Sequence, residues 1–303
     1  MSKTAFIFPG QGVQYTGMAK DFYDTFPVCR EVFEMASKAS GLDVAELCFT
    51  ENDRLNITEY TQIAMMAAEL AMLKTVEEKG LRPDATAGLS LGEYGALAVS
   101  GVMSLEDVFQ IVRKRGIFMQ EAVPAGGAMT AVLGLDTDAV EHICEETPGQ
   151  VSVANYNCPG QTVITGEENA VAQAAAKMIE AGAKRCVALK VSGPFHSPML
   201  KEAADNLGMQ LATVELQDIQ IPYLSNVTGD YVTDKAQVKE LLKKQVASSV
   251  KWQQSVERMI ADGVDTFIEI GPGKTLAGFM RKINRDVKVY NIEKIEDLEK
   301  LPC

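Results

Sequence analysis

The stretch Ala85-Thr86-Ala87-Gly88-Leu89-Ser90-Leu91-Gly92-Glu93-Tyr94-Gly95-Ala96-Leu97-Ala98-Val99 runs from a short apolar segment into a G-x-S-x-G and directly out into residues of helical character. Strand, sharp turn and helix in that order are the setting of a nucleophile elbow. The serine occupies a strained turn, and glycine on either side removes the side chains that would collide with it or with the next helix. The N–H of Leu91, one residue on, then points to where an oxyanion would form. A glycine-rich turn without catalytic work has the same spacing, so the chemistry has to be argued from partners.

Working outward, apolar runs at residues 4–8, 85–89, 223–226 and 266–270 read as buried strands alternating with stretches of helical period. This is the pattern of an α/β fold with a mostly parallel sheet. Residues 61–79, rich in Ala, Met and Leu and closed by Gly80 and Pro83, are expected to form a long core helix. Past residue 126 the rhythm changes to strand 128–133, helix 136–146, strands 151–156 and 162–166, helix 168–181 and strand 185–191. That β-α-β-β-α-β order is ferredoxin-like. Val123-Pro124-Ala125-Gly126-Gly127 and Ser192-Gly193-Pro194 punctuate its ends. The expected organisation is a large domain of residues 1–125 and 193–303 interrupted by a small subdomain, 126–192.

The 29 Lys and Arg against 41 Asp and Glu leave a formal charge of -12, which opposes binding to nucleic acid or an anionic membrane, and neither is expected as a partner. Cys29, Cys48, Cys144, Cys158, Cys186 and Cys303 form no C-x-x-C pair, and only two histidines exist. Free, mostly buried thiols are expected, with no metal and no disulfide framework. Only a short apolar run precedes Pro9, well under a secretory or membrane-spanning segment, so a cytoplasmic location is expected.

A serine hydroxyl needs a base, and histidine suits neutral pH. His142 lies in an acidic helical stretch and reads as a surface residue. His196, in Ser192-Gly193-Pro194-Phe195-His196-Ser197-Pro198, lies in irregular chain at the edge of the small unit, where a cleft would open. No Asp or Glu stands out as an orienting group, so a backbone carbonyl is the expected third member. Such an arrangement suits a thiol leaving group, which demands less of the acid than an alcohol or amine. Helical residues 108–120 carry Arg113 and Arg115; an arginine turned into the cleft could pair with a carboxylate, whereas one facing outward would be solvated.

These residues bring a family into view. Phe8-Pro9-Gly10-Gln11-Gly12-Val13-Gln14, Gly88-Leu89-Ser90-Leu91-Gly92-Glu93, Arg115-Gly116 with Met119-Gln120, Asn155-Tyr156-Asn157-Cys158-Pro159-Gly160-Gln161, Gly193-Pro194-Phe195-His196 and Glu269-Ile270-Gly271-Pro272-Gly273-Lys274 follow in order. In them the chain resembles the malonyl-CoA:acyl carrier protein transacylase family across essentially its full length. The resemblance implies an α/β-hydrolase-like large domain and a ferredoxin-like small one with the site between them. It implies Ser90 as nucleophile, His196 as base, the Gln11 and Leu91 N–H groups as oxyanion hole and Arg115 as the malonyl carboxylate site. Gln245 matches the position whose main chain orients the histidine.

The implied activity moves malonyl from malonyl-CoA through a serine ester to the phosphopantetheine thiol of acyl carrier protein in fatty acid biosynthesis, with no tightly bound cofactor. A stand-alone polyketide-type acyltransferase is the near alternative. A serine thioesterase or esterase is the far one, and it would have no use for a buried arginine. Val13 replaces a frequent serine and Ile63 a frequent proline, neither at the chemistry. Phe195 is similar to the form associated with malonyl rather than methylmalonyl units, and equally reads as bulky core. Gly271-Pro272-Gly273-Lys274-Thr275 lacks the first glycine of a phosphate loop, Ile268 standing there, and reads as a strand-to-helix turn. Lys239, Lys243, Lys244, Lys251, Arg281, Lys282 and Arg285 offer positive charge where a carrier protein or CoA phosphates could dock, or are simply solvated.

Overall fold

The apolar run that opens the chain forms β1 (Lys3–Phe8), buried from Ala5 onward on both faces, as an interior strand of a parallel sheet must be. The computed structural model describes residues 2–123, 125–191 and 193–302. After β1 come α1 (Lys20–Thr25), α2 (Pro27–Ser40), α3 (Val44–Phe49), α4 (Thr58–Glu78), β2 (Ala85–Gly88), α5 (Glu93–Ser100) and α6 (Leu105–Ala122). A second group follows: β3 (Gly127–Leu133), α7 (Thr137–Glu145), β4 (Val151–Cys158), β5 (Gln161–Glu167), α8 (Glu168–Glu180) and β6 (Arg185–Ala188). The chain ends with α9 (Lys201–Ala212), β7 (Tyr223–Leu224), β8 (Tyr231–Val232), α10 (Val238–Val246), α11 (Trp252–Ala261), β9 (Val264–Ile270), α12 (Thr275–Ile283) and β10 (Lys288–Ile292).

The first sheet has the order β10-β9-β1-β2-β7-β8. It is parallel except for β7–β8, so the α/β fold with a mostly parallel sheet stands. Residues 61–73 of α4 are all buried, and with apolar side chains all round this helix belongs to the core rather than the surface. The second sheet is antiparallel, in the order β4-β5-β3-β6. Side chains alternate across a strand. Val132, Val153 and Ile164 therefore pack on α7 and α8 through Val140, Val171, Ala174 and Met178, while Met129, Ala131, Ala154 and Val163 join the main core. The β4 edge is fastened to the segment before α11: Val250 N–H donates to Ala154 O at 2.7 Å and Tyr156 N–H to Val250 O at 2.9 Å.

Two expectations need correction. The last strand of the small sheet stops at Ala188 rather than 191, because the chain turns there, Val191 N–H donating to Leu189 O at 3.1 Å. The helix after Ser90 opens with a tight 3-10 turn over Ser90–Gly92 before α5 begins. Cys29, Cys48, Cys144 and Cys158 are free and buried, and Cys186 is half-buried. Cys303, and the punctuation expected at Pro124 and Ser192, lie outside the described residues.

Glycine at 88 and 92 is a matter of contact distance. A Cβ on Gly88 would stand 1.9 Å from the Gly92 carbonyl, and one on Gly92 would stand 2.2 Å from Phe8 O. The turn thus folds back on itself and against the end of β1. Because backbone cannot step aside as a side chain can, Gly88→Ala is expected to destabilise the fold by about 3 kcal/mol or more. Urea denaturation measures this, and an unchanged midpoint would contradict it.

Candidate active site

Parallel sheets collect their functional groups at the carboxyl ends of the strands. Ser90 stands just past the end of β2 with φ of 54°, a left-handed conformation that a side-chain-bearing residue keeps only when its surroundings enforce it. The enforcement comes from Asn226, just past β7. Its Oδ1 accepts from Ser90 N–H at 2.7 Å, and its Nδ2 donates to Gly88 O at 2.7 Å, clasping the elbow from both sides.

His196 is likewise left-handed, at φ of 60°, in a turn tied by Ser197 Oγ donating to Pro194 O at 2.7 Å. Its Nε2 is 2.7 Å from Ser90 Oγ and its Nδ1 is 2.9 Å from Gln245 O. A carbonyl only accepts, so Nδ1 carries the proton and Nε2 presents its lone pair to the serine hydroxyl. Gln245 lies in the last turn of α10, where carbonyls have no partner within the helix and the helix dipole is negative. The helix end therefore supplies what a carboxylate supplies elsewhere. Burial, and then the charge of Arg115, push the His196 imidazole down to about 4, so at neutral pH it is a free base. His142 is exposed and sits 3.3 Å from Glu146, the residue that caps the end of the same helix.

Of the two arginines on α6, Arg113 turns away, pairing with Glu59 at 3.0 Å and lying over the Tyr60 ring. Arg115 turns inward and is 1% exposed. Gly116 makes this possible, since a Cβ there would stand 3.0 Å from Glu59 Cα, so α6 crosses the start of α4 at close range. Arg115 Nη1 donates to Gln62 Oε1 at 2.7 Å, and Nη2 donates to Ser90 Oγ at 3.1 Å and to Gln245 Oε1 at 3.0 Å. Its Nε has no partner among the described residues.

Ser90, Arg115 and His196 open onto a cavity of about 100 Å³, which Gln11, Gln62, Leu91, Asn155, Leu189 and Phe195 also line. Gln11 lies in the loop after β1, with Nε2 donating to Thr58 Oγ1 at 3.1 Å. A larger groove of about 650 Å³, between Lys3, Asp84, Tyr231, Arg258 and Val264, lies at the amino ends of β1, β2 and β9. It holds no serine, cysteine or histidine, and it is on the wrong edge of a parallel sheet for chemistry. Gly271-Pro272-Gly273-Lys274 is a strand-to-helix turn whose helix end is taken up by Glu269, which accepts from Leu276 N–H and Ala277 N–H at 2.9 and 2.8 Å. Of the basic residues in the last third, Lys243 pairs with Asp205, and Lys239 donates to Ala212 O and Val214 O.

The acyl transferase domain family matches residues 5–296. The malonyl CoA-acyl carrier protein transacylase of Bacillus subtilis (strain 168) is 43% identical over 304 residues, covering 99% of this chain and 96% of that protein. The chain belongs to the malonyl CoA-acyl carrier protein transacylase family. Among solved structures of the family, that from Clostridium perfringens superposes with a TM-score of 0.95 at 44% identity, covering 99% of this chain and 96% of that one. A type II polyketide acyl-carrier protein has been solved in complex with its malonyl-transacylase; a chain of that structure matches with a TM-score of 0.96 at 38% identity, covering 99% of this chain and 98% of that one.

Three site residues escaped the sequence reading: Asn226, Gln62 and Glu93. Asn226 looked like the last residue of a strand, and Gln62 like one polar position in an apolar helix. Glu93 did carry a signal, a carboxylate at the head of the otherwise apolar helix directly after the elbow. Its Oε2 accepts from Gln245 Nε2 at 2.7 Å and from Asn226 N–H at 3.1 Å.

Proposed function

We propose that the chain takes a malonyl group from malonyl-CoA onto Ser90 and passes it to the phosphopantetheine thiol of an acyl carrier protein in fatty acid biosynthesis. One observation carries this reading: a buried guanidinium donates to the same serine oxygen that an imidazole nitrogen approaches at 2.7 Å. Such a site suits an acyl chain that ends in a carboxylate. His196 Nε2 takes the Ser90 proton while Oγ attacks the thioester carbonyl. The oxyanion draws on the Leu91 N–H at the start of the helical turn and the Gln11 N–H opposite. The C–S bond breaks as His196 passes that proton to the departing sulfur, so CoA leaves as the thiol and the imidazole is again a free base. The carrier thiol then gives its proton to His196 and attacks the serine ester; the acyl–Oγ bond breaks, and His196 returns the proton to Ser90 Oγ, restoring the hydroxyl.

This reading treats residues 1–125 and 193–303 as an α/β-hydrolase-like domain and 126–192 as an inserted ferredoxin-like one, whose strand order β4-β5-β3-β6 fits that description. A cytoplasmic location accords with it, and no helix among the described residues is long and apolar enough to cross a membrane. The polyketide alternative draws on the similarity to the transacylase solved with a polyketide carrier. Transfer rates to fatty acid and polyketide carriers, measured side by side, separate the two.

Intact-mass analysis after mixing the protein with malonyl-CoA tests the core of the proposal. A malonyl adduct that maps to Ser90 and disappears on adding carrier is expected. Release of CoA with no adduct and no carrier requirement would point to hydrolysis instead. Because His196 must be neutral to act, activity is expected to fall as pH drops through about 4, not through the ordinary 6.5. An acid limb of kcat/KM centred between 6 and 7 would contradict that placement of the base.

A further inference from the structure

Arg115 is a fully buried cation, and its three hydrogen-bond acceptors among the described residues, Gln62, Ser90 and Gln245, are all neutral. An uncompensated buried charge is costly, so a counter-charge should stand within reach. It stands one amide away. Gln245 accepts from Arg115 Nη2 through Oε1 at 3.0 Å, and through Nε2 it donates to Glu93 Oε2 at 2.7 Å. Guanidinium and carboxyl are thus joined head to tail through a single polarised side chain. Glu93 itself is entirely buried, with Ser225 beside its carboxyl, and its Oε1 makes no hydrogen bond of good geometry among the described residues. The titratable groups whose charge reaches it are Arg115 from α6, Tyr94 from α5 and Tyr223 from β7. Burial raises both phenols above their usual range, and they stay neutral. The other neighbours, Gln245, Ser225 and Asn226, carry no charge.

We propose that Glu93 is the resident counter-ion of Arg115, coupled to it through the Gln245 amide, and that it takes up a proton when an acyl carboxylate settles beside Arg115. This rests on the reading of Arg115 as the carboxylate site. With Glu93 ionised and the site empty, the charges of Arg115 and Glu93 cancel. An arriving carboxylate would leave one negative charge in excess among buried groups, and a proton on Glu93 removes that excess. The bridge keeps Glu93 out of the carboxylate's own place, so it compensates the arginine without blocking it. Burial already raises the Glu93 carboxyl to about 7, where a neighbouring charge can switch it.

The sign follows from linkage. Malonyl binding favours protonated Glu93, so kcat/KM for malonyl-CoA is expected to fall as pH rises past about 7, by up to about tenfold per pH unit, until the higher pKa of the occupied site is reached. Acetyl-CoA brings no carboxylate, and its profile should lack that limb. In Glu93→Gln the amide oxygen can still accept from Gln245 Nε2 and Asn226 N–H, with its NH2 at the unbonded oxygen, but nothing titrates. The variant should lose the limb.

The direct measurement is proton uptake, followed with an indicator dye in weak buffer at pH 7.5. Uptake of up to about three-quarters of a proton per malonyl-enzyme is expected for the wild-type protein, since about a quarter of Glu93 is already protonated at that pH, with none for acetyl-CoA and none for Glu93→Gln. Equal uptake by wild type and Glu93→Gln, or parallel pH profiles of the two for malonyl-CoA, would overturn the proposal. Arg115→Ala run alongside separates the two readings. If that variant keeps the wild-type preference for malonyl over acetyl groups, the carboxylate site itself is misassigned. If it loses the preference while Glu93→Gln titrates like the wild type, only the role of Glu93 fails.

Discussion

Ser90→Ala is expected to lower malonyl transfer by roughly 10⁴- to 10⁶-fold, the range in which removal of a nucleophile leaves only binding and oxyanion stabilisation. The turn should survive. Its left-handed backbone is held by Asn226 at 2.7 Å on either side and by the Gly88–Gly92 contact, none of which uses the hydroxyl. The alanine variant should therefore melt near the wild-type temperature and still bind malonyl-CoA, since Arg115 and the cavity remain, while showing no adduct by intact mass. Transfer at more than about a hundredth of the wild-type rate by a correctly folded Ser90→Ala protein would remove the covalent route.

Arg115→Ala is expected to shift selectivity from malonyl toward acetyl groups. The buried guanidinium donates to neutral acceptors, and an acyl carboxylate would replace these with a charge-assisted pair in the same buried surroundings. Deleting one partner of such a pair costs about 2–5 kcal/mol, so kcat/KM for malonyl-CoA should fall roughly 30- to 4,000-fold. Acetyl-CoA, which never used the pair, should lose far less, so that the ratio between the two substrates shifts by at least about tenfold. Arg115→Lys should recover only part of the difference, because one ammonium cannot hold Gln62, Gln245 and a substrate in the fixed fork of a guanidinium. Competition between the two thioesters for a limiting amount of enzyme reads the ratio directly. A thermal melt separates lost selectivity from lost fold, since Arg115 fills core volume and its removal strips a donor from two buried amides.

Legibility in the sequence followed the range of the interaction. The elbow could be read because its strand, turn and helix are contiguous, and its glycines answer to atoms within the same few residues or at the end of the adjoining strand. The β-α-β-β-α-β order of residues 127–188 was readable because each element is short and bounded by its own turn signals. Asn226 was not, because its task is to bond Ser90 and Gly88 from more than 130 residues away, and nothing in its neighbours says so. The outer strand β10 was overlooked for a related reason: only Ile292 of its five residues is buried, which leaves little of the apolar run that marked the inner strands. The shorter β6 shows the opposite error. Leu189 and Val191 looked like continued strand, yet they serve as cavity wall, and apolar composition alone does not separate the two uses.

The bridge between residues 154–156 and Val250 limits how the site can open. It binds the small sheet to a segment only a few residues beyond Gln245, whose carbonyl holds the imidazole. Any opening that parts β4 from that segment would have to break these main-chain bonds and would loosen the backbone on which the imidazole rests.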